Sequence, residues 1–259
     1  QVFMGCSRGC VEQASMVSGR AAAVLSLRYR RVSFLVRRWG RLAGCMTPPC
    51  PDTPAHVLHH SDWLLVADKP AGLLCVPGRG PQGADNLASR LQARWPDALV
   101  VHRLDMATSG LVLFGRGAAA QRALSMAFAD RQVHKRYEAV VAGLLADAAG
   151  EIDLPLAPDW PNRPRQQVDR LAGKPSRTRW QVLDRDTAAG TTRLALLPLT
   201  GRTHQLRLHL AAIGHPILGD ALYATPAALA AAPRLLLHAC HLAWQDDHGD
   251  HAFHSPVPF

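Results

Sequence analysis

The chain has 259 residues, of which 48% are hydrophobic, so it is long enough for one large or two small domains with a packed core. No apolar run approaches the roughly 18 residues of a membrane span, and the N-terminus lacks the apolar segment and cleavage site of a secretory signal. Six Cys do not make a disulfide framework in a chain of this length. These features argue against a membrane or disulfide-scaffold protein and predict a cytoplasmic one.

The net charge of +9 suggests an anionic partner, but most of this charge is concentrated near the N-terminus. Residues 1–45 contain eight Arg, no Lys and one acidic residue, Glu12. All the other basic and acidic residues lie in 46–259, which therefore carries a net charge of only +2. Local clusters rather than the total charge must support any argument for nucleic-acid binding.

The first 56 residues show no regular pattern. Residues 1–45 begin with Gln, and Met46 opens the Pro-rich stretch MTPPCPDTP. We expect 1–45 to be a basic segment that is disordered or non-native, 46–56 a Pro-rich lead-in, and 57–259 the folded domain. The alternative is that residues 1–45 form a basic RNA-binding arm.

From about residue 57 the hydrophobic pattern becomes regular. VLHHSDWLLVADKP and LLCVPGRG predict strands that end in turns, and Asp85 is predicted to cap a helix through about Trp95. Short buried strands are predicted over 98–101 and 111–114, on either side of the polar segment VHRLDMATSG. A helix over 117–130 and a strand over 135–145 follow.

The second half continues this mixture of elements. Residues 153–179 hold five Pro and many charges and predict a long loop. A strand over 193–199 precedes a helix from about His204 to Ile213, with Thr203 as its N-cap and Gly214 as its stop. A strand over 235–244 and a hairpin arm complete the chain. Without strict βαβ alternation, the pattern predicts an α+β fold with a mixed, largely antiparallel sheet and flanking helices and loops.

VHRLDMATSG places Asp105 in a tight link between two buried strands. Rigid flanks of this kind position a nucleophile or a base. The alternative is an Asp that only hydrogen-bonds its own turn. Gly110 would let a ligand or the backbone of a strand approach closely.

GRTHQLRLHLAAIGHPILGD, residues 201–220, carries a second candidate. Arg202 precedes a helix N-terminus and could pair bidentately with a carboxylate, or it could be a surface Arg near a turn. His204, His209 and His215 do not recur at the spacing that stacks two zinc ligands on one helix face, so no metal site is predicted.

A third candidate is a basic stretch flanked by two Trp. Phosphate binding needs such cations, and single-stranded RNA also stacks on aromatic side chains. A solvated charged loop is the alternative. The stretch contains Trp160, Arg163, Arg165, Arg170, Lys174, Arg177, Arg179 and Trp180.

Four segments in this order, HRLDMATSG, KRYEA, GRTHQLRLHLAAIGHPILGD and LLLHA, resemble the RluA family of pseudouridine synthases. The resemblance covers roughly residues 57–259. It implies a pseudouridine synthase fold with a central catalytic cleft, and isomerisation of uridine to pseudouridine in RNA without a cofactor or a metal.

The resemblance also implies roles for individual residues. Asp105 matches the aspartate that attacks the target nucleoside, at C1′ or at C6, and Tyr137 the tyrosine that stacks on the base and takes part in proton transfer. Arg202 matches the basic partner of the aspartate, and Arg103 the arginine that enters the RNA stack where the base leaves. Leu236 or Leu237 is expected to wall the base pocket. Further expected RNA contacts are Arg79, Trp160, Arg163, Arg165, Lys174, His204 and Arg207.

Within the family, CVPGR (75–79), DWPNRP (159–164) and GKPS (173–176) resemble dual-specificity members. Those members act on uridine 32 of tRNA anticodon stem-loops and on uridine 746 of 23S rRNA. We expect both RNAs as partners of a monomer that needs no obligate protein partner. The alternatives are a synthase for a different single rRNA or tRNA site, a non-catalytic RNA-binding protein, and a hydrolase that uses Asp105 with a His.

Overall fold

The computed structural model describes residues 55–259, so the predictions for 1–45 and for most of 46–56 lie outside the described residues. Four α-helices are found in this part of the chain: α1 (Leu87–Gln92), α2 (Gly117–Ala129), α3 (Gln205–Ala212) and α4 (Pro226–Ala230). The strands are β1 (His56–His60), β2 (Leu64–Lys69), β3 (Ala98–Val100), β4 (Ser109–Arg116), β5 (His134–Ala142), β6 (Ala149–Asp153), β7 (Leu156–Pro158), β8 (Gln166–Val168), β9 (Arg177–Asp186), β10 (Thr191–Pro198), β11 (Leu237–Asp246) and β12 (Gly249–His254). None of the helices within 55–259 is long and apolar enough to cross a membrane.

Ten of these strands form one sheet, in the order β1-β2-β4-β11-β5-β10-β9-β6, with β3 beside β4 and β12 beside β11. β4 and β11 pair in parallel, and the other pairs of named strands within 55–259 are antiparallel. β7 and β8 form a separate hairpin. The fold is therefore α+β with a mixed, largely antiparallel sheet, as predicted.

The apolar side chains pack into clusters that meet near the middle of the sheet. One cluster joins Leu87 and Leu91 of α1 to strands β2 and β4, and another joins Leu206 and Leu210 of α3 to β5 and β10. Tyr137 of β5 packs against both clusters. Tyr137 therefore lies where these two apolar clusters meet.

Two predicted helix caps are wrong by one residue. Asn86, not Asp85, caps α1, because its Oδ1 accepts a hydrogen bond from the Ser89 N–H at 2.9 Å. Asp85 instead pairs with Arg90 at 2.7 Å. At α3 the N-cap position is held by His204 rather than Thr203, and no side chain caps the helix there. Asp and Asn are both common N-caps, so the sequence pattern does not choose between Asp85 and Asn86.

The prediction of a continuous loop over 153–179 is also wrong. This segment contains the β7–β8 hairpin, the last residue of β6 and the start of β9. β6 and β9, at the two ends of the segment, pair with each other over Ala149–Asp153 and Arg177–Gln181. LLCVPGRG, predicted as a strand, forms only an isolated bridge between Leu74 and Asn86.

Candidate active site

A cavity of about 460 Å³ lies between the β3–β4 loop, β5, the β10–α3 connection and the start of β11. Its lining includes Asp105 of the loop, Tyr137 of β5, Arg207 in the first turn of α3 and Leu237 of β11. The segments that carry these residues are far apart in sequence. The fold therefore brings HRLDMATSG, KRYEA, GRTHQLR and LLLHA to one place.

The loop that carries Asp105 is fixed on both sides of this residue by the turn that follows β2. Before Asp105, the Leu104 N–H donates to Cys75 Sγ at 3.3 Å. After it, the Met106 carbonyl accepts from Lys69 Nζ at 3.0 Å and from the Gly72 N–H at 2.8 Å. Burial lowers the pKa of Lys69 to about 8, partly opposed by the charges of Cys75 and Asp105. Lys69 and Cys75 were not among the predicted site residues, although a Lys before Pro-Ala-Gly at a strand end was a visible signal.

The ends of the same loop are fixed from the sheet. His102 Nε2 accepts from the Leu113 N–H at 3.0 Å, and burial lowers the pKa of His102 to about 3, so the ring is neutral. At Gly110 the backbone φ is +114°, and a Cβ would lie 2.3 Å from the Ala239 carbonyl oxygen. Gly110 is therefore required by the approach of a neighbouring strand rather than by a ligand.

The cation beside Asp105 is Arg207. Its Nη1 lies 3.7 Å from Asp105 Oδ2. Arg207 is itself fixed by a buried bidentate pair with Asp220, through Nε to Oδ2 at 2.8 Å and Nη2 to Oδ1 at 2.6 Å. Burial alone would raise the pKa of Asp220, but the hydrogen bonds and charge of Arg207 hold it below the usual value. A charged residue within the buried run QLRLHL was the signal that Arg207 has a specific partner.

The prediction that Arg202 pairs with the aspartate is wrong. Arg202 lines the same cavity but its side chain is exposed, and its Nε donates to the Pro175 carbonyl at 3.5 Å. The reason lies in the start of α3, where Gln205 Oε1 folds back to accept from the Arg202 N–H at 3.0 Å. This contact leaves Arg202 outside the buried face on which Arg207 lies.

Tyr137 projects from β5 into the cavity, as expected for a residue that meets a substrate base. Burial, and next the nearby charge of Asp105, raise the pKa of Tyr137 well above that of a free phenol. The hydroxyl therefore carries its proton at neutral pH. A protonated phenol beside a carboxylate can hold or deliver a proton without adding a second negative charge.

His204 also lies near the carboxylate of Asp105. Its Nε2 is 4.0 Å from Asp105 Oδ2, and its Nδ1 is 2.8 Å from the Tyr223 hydroxyl. Burial lowers the pKa of His204, an effect that the charge of Asp105 opposes. Tyr223 was not among the predicted site residues.

Of the two leucines expected to wall the base pocket, Leu237 lines the cavity. Leu236 packs against the α3 cluster, and its backbone bonds to Leu218 and Val140. Neighbouring residues in an extended chain point in opposite directions, so only one of the pair can face the cavity.

The other expected RNA contacts lie at the surface. Arg103 lines the cavity mouth with an exposed side chain, and Arg79 and Lys174 are exposed outside it. In the β7–β8 hairpin, Trp160 is 64% exposed and the Arg163 guanidinium lies 3.5 Å from its ring centroid. Arg165 lies over the Tyr223 ring at 5.5 Å.

The histidines of the α3 segment have structural partners. His209 bonds to Thr178 Oγ1 and the Leu154 carbonyl, and His215 bonds to the Ala142 carbonyl. Within residues 55–259, no group of three or more His, Cys, Asp or Glu is arranged to hold a metal ion.

Comparison with known proteins gives a consistent result. A sequence model of RNA pseudouridylate synthases matches residues 63–212. The dual-specificity RNA pseudouridine synthase RluA of Escherichia coli (strain K12) is 50% identical over 183 residues, which cover 71% of this chain and 83% of that protein. The protein of the same name from Pasteurella multocida (strain Pm70) is 48% identical over 199 residues, or 77% of this chain and 90% of that protein.

Solved structures show the same fold. Human RNA pseudouridylate synthase domain containing 1 superposes with a TM-score of 0.69 at 29% identity, covering 83% of this chain and 87% of that one. Human RNA pseudouridylate synthase domain containing 4 superposes with a TM-score of 0.63 at 24% identity, over 78% and 88% of the two chains.

Proposed function

The chain belongs to the RNA pseudouridylate synthase family, and we propose that it acts at two sites, uridine 32 of tRNA anticodon stem-loops and uridine 746 of 23S rRNA. The family assignment gives the reaction, the isomerisation of uridine to pseudouridine in RNA. Support for the targets comes from the dual-specificity relatives and from CVPGR, DWPNRP and GKPS in this sequence. The observation that supports catalysis by these residues is the cavity in which Asp105 faces Arg207 at 3.7 Å beside Tyr137.

The chemistry needs few groups. The bond from C1′ to N1 of uracil breaks, a bond from C1′ to C5 forms, the C5 proton leaves and N1 gains a proton. Atoms and electrons balance within the nucleotide, so the protein must supply a nucleophile, a proton relay and a site from which the detached base cannot escape. We assign the nucleophile to Asp105, at C1′ or C6, and the proton relay and base stacking to Tyr137. Leu237 contributes the apolar wall.

The RNA must release the target base before this chemistry. Flipping a base out costs a few kcal/mol, and stacking it on an aromatic ring returns about 1–3 kcal/mol. We assign the vacated position in the stack to Arg103, and its exposed side chain in the cavity lining supports that role. The exposed Trp160–Arg163 pair, with Arg79, Arg165 and Lys174, is assigned to contacts with the rest of the RNA loop.

The test measures tritium release from RNA labelled at C5 of uridine, using an anticodon stem-loop and a 23S rRNA fragment as separate substrates. Wild-type protein should release tritium from both RNAs, and Asp105→Asn should release none while binding each RNA within about threefold of wild type. Release from one RNA alone would support the single-site alternative. Undiminished release by Asp105→Asn would exclude Asp105 as the nucleophile, and binding without release by the wild type would favour the non-catalytic alternative.

We also propose that the protein acts as a cytoplasmic monomer and that residues 57–259 are its catalytic domain. Among the described residues, those that line the cavity lie between His102 and Leu237, which supports 57–259 as the catalytic domain.

A further inference from the structure

Three groups connect the β7–β8 hairpin to the carboxylate of Asp105. The Gln166 N–H donates to the Tyr223 hydroxyl oxygen at 2.8 Å. The same oxygen lies 2.8 Å from His204 Nδ1, and the opposite ring nitrogen, Nε2, lies 4.0 Å from Asp105 Oδ2.

The backbone N–H of Gln166 determines which atoms donate and which accept in this series of hydrogen bonds. An N–H can only donate, so the Tyr223 oxygen uses one lone pair on Gln166. His204 Nδ1 is the one acceptor for the Tyr223 proton found within residues 55–259. If Tyr223 donates to Nδ1, that nitrogen carries no proton and the proton of the neutral ring lies on Nε2. Because burial lowers the pKa of His204, the neutral ring is the form present at neutral pH.

We propose that Tyr223 is a positioning residue that fixes His204 as the Nε2–H tautomer, so that the N–H of His204 and the guanidinium of Arg207 both face Asp105 Oδ2. Arg207 Nη1 lies 3.7 Å from this oxygen, and His204 Nε2 lies 4.0 Å from it. The closest approach of each group is to Oδ2 rather than to Oδ1. Anchoring one oxygen leaves the other to meet the nucleoside, and both contacts can shorten when RNA closes the site.

The backbone of His204 is a second, independent observation. His204 has φ +54° and ψ 18°, the left-handed conformation, and only Arg131 shares a positive φ among the non-glycine residues of 55–259. Such a conformation costs on the order of 1 kcal/mol and persists at functional sites where neighbouring structure requires it. Here it turns the ring from the start of α3 towards Asp105 and Tyr223.

This inference rests on the proposed function and adds a role for the hairpin. Gln166 begins β8, the arm that follows Trp160 and Arg163, which we assign to RNA contacts. Arg165 and Arg207 also lie over the Tyr223 ring, at 5.5 and 5.4 Å. Tyr223 therefore lies between the β7–β8 hairpin and the carboxylate of Asp105, and its hydroxyl group joins Gln166 of that hairpin to His204.

Tyr223→Phe removes that hydroxyl and keeps the ring. We expect kcat for tritium release to fall about tenfold, with KM for the anticodon stem-loop within about twofold, because orientation rather than binding is lost. In histidine-¹⁵N-labelled protein without RNA, the His204 signal should show the proton on Nε2 in the wild type and a mixture of tautomers in Tyr223→Phe. His204→Asn assigns that signal, because the signal disappears with the ring, and it should also lower kcat. Asn tolerates the left-handed backbone at this position.

His56→Asn, a matched change on exposed β1, should leave kcat and KM as in the wild type. A proton on Nδ1 of His204 in the wild type, or wild-type kcat in Tyr223→Phe, would overturn the proposal. If Tyr223→Phe fails to fold, the tautomer of His204 in the wild-type spectrum and the kcat of His204→Asn still test the proposal. If the wild type releases no tritium from either RNA, the proposed function fails, while the tautomer measurement still tests the positioning.

Discussion

Replacing Asp220 by Asn tests whether the buried partner of Arg207 holds the site together. The side chains of Arg207 and Asp220 are 5% and 0% exposed. Asp220→Asn keeps the shape of the side chain and one carbonyl oxygen for the Leu222 and Tyr223 N–H groups, which Asp220 Oδ1 accepts at 2.8 and 3.2 Å. The substitution therefore removes the charge and one of the two acceptors for Arg207.

The expected cost follows from burial. Breaking a buried ion pair by removing one charge costs about 3–5 kcal/mol, and we expect a value near 3 kcal/mol because part of the hydrogen bonding survives. For a domain of this size about 1 kcal/mol corresponds to about 2–4 °C in Tm, so Tm should fall by about 6–12 °C. The pKa of Asp220 is lowered in the folded protein, so its contribution is present above the unfolded pKa of about 3.9 and is lost as pH falls through the folded pKa.

The assay is urea and thermal unfolding at neutral pH, with Asp97→Asn as the matched control. Asp97 also pairs with an Arg through both carboxylate oxygens, each 2.8 Å from Arg116 Nε, but its side chain is 44% exposed. Removing that surface charge should cost less than about 1 kcal/mol. Equal losses for the two variants, or a loss below about 1 kcal/mol for Asp220→Asn, would refute the argument from burial.

Three further predictions concern the site and the chain around it. Arg207→Gln should lower the rate of tritium release by more than about a hundredfold. Arg202→Gln, at an exposed position, should weaken RNA binding by less than about tenfold. Similar kcat values for the two variants would contradict the assignment of Arg207 as the cation beside Asp105. Trp160→Ala should raise KM for the stem-loop about five- to tenfold at unchanged kcat, the value of one lost stacking contact, and an unchanged KM in steady-state assays would remove Trp160 from the interface. Deleting residues 1–45 should leave tritium release within about threefold, whereas a large loss would support the basic RNA-binding arm.

The elements that sequence analysis predicted well are those whose pattern is local. The buried strands on either side of the catalytic loop, the helix over 117–130 and the glycine stop at Gly214, which has φ +85°, are set by neighbouring residues. The prediction for 153–179 failed because β7 and β8 are too short to show alternation, and because β6 and β9 pair with each other across the two ends of the segment. β7 and β8 are three residues each, and Pro158 ends the first.

In the candidate site too, local motifs were predicted and features that depend on tertiary contacts were not. The resemblance of motifs predicted Asp105 and Tyr137, which line one cavity, but it placed the cation on Arg202, five residues before Arg207. The choice between the two depends on where α3 begins and which face is buried. That start is set by Gln205, which bonds to Arg202, Thr200 and the β9 backbone, and by a His in a left-handed conformation. Neither the hydrogen bonds of Gln205 nor the left-handed backbone of His204 has a signature in the local sequence pattern.

The geometry of the catalytic loop is a property of the whole sheet. Lys69 reaches Met106 from 37 residues away, and Ser109 Oγ bonds to His238 Nδ1 at 2.9 Å from 129 residues away. These partners are buried, although a Lys taken singly in the sequence would be assigned to the surface. Since a misplacement of about 1 Å can cost about a hundredfold in rate, such residues constrain the reaction as tightly as those that touch RNA. Substitutions at Lys69 should therefore lower turnover without any direct contact with the substrate.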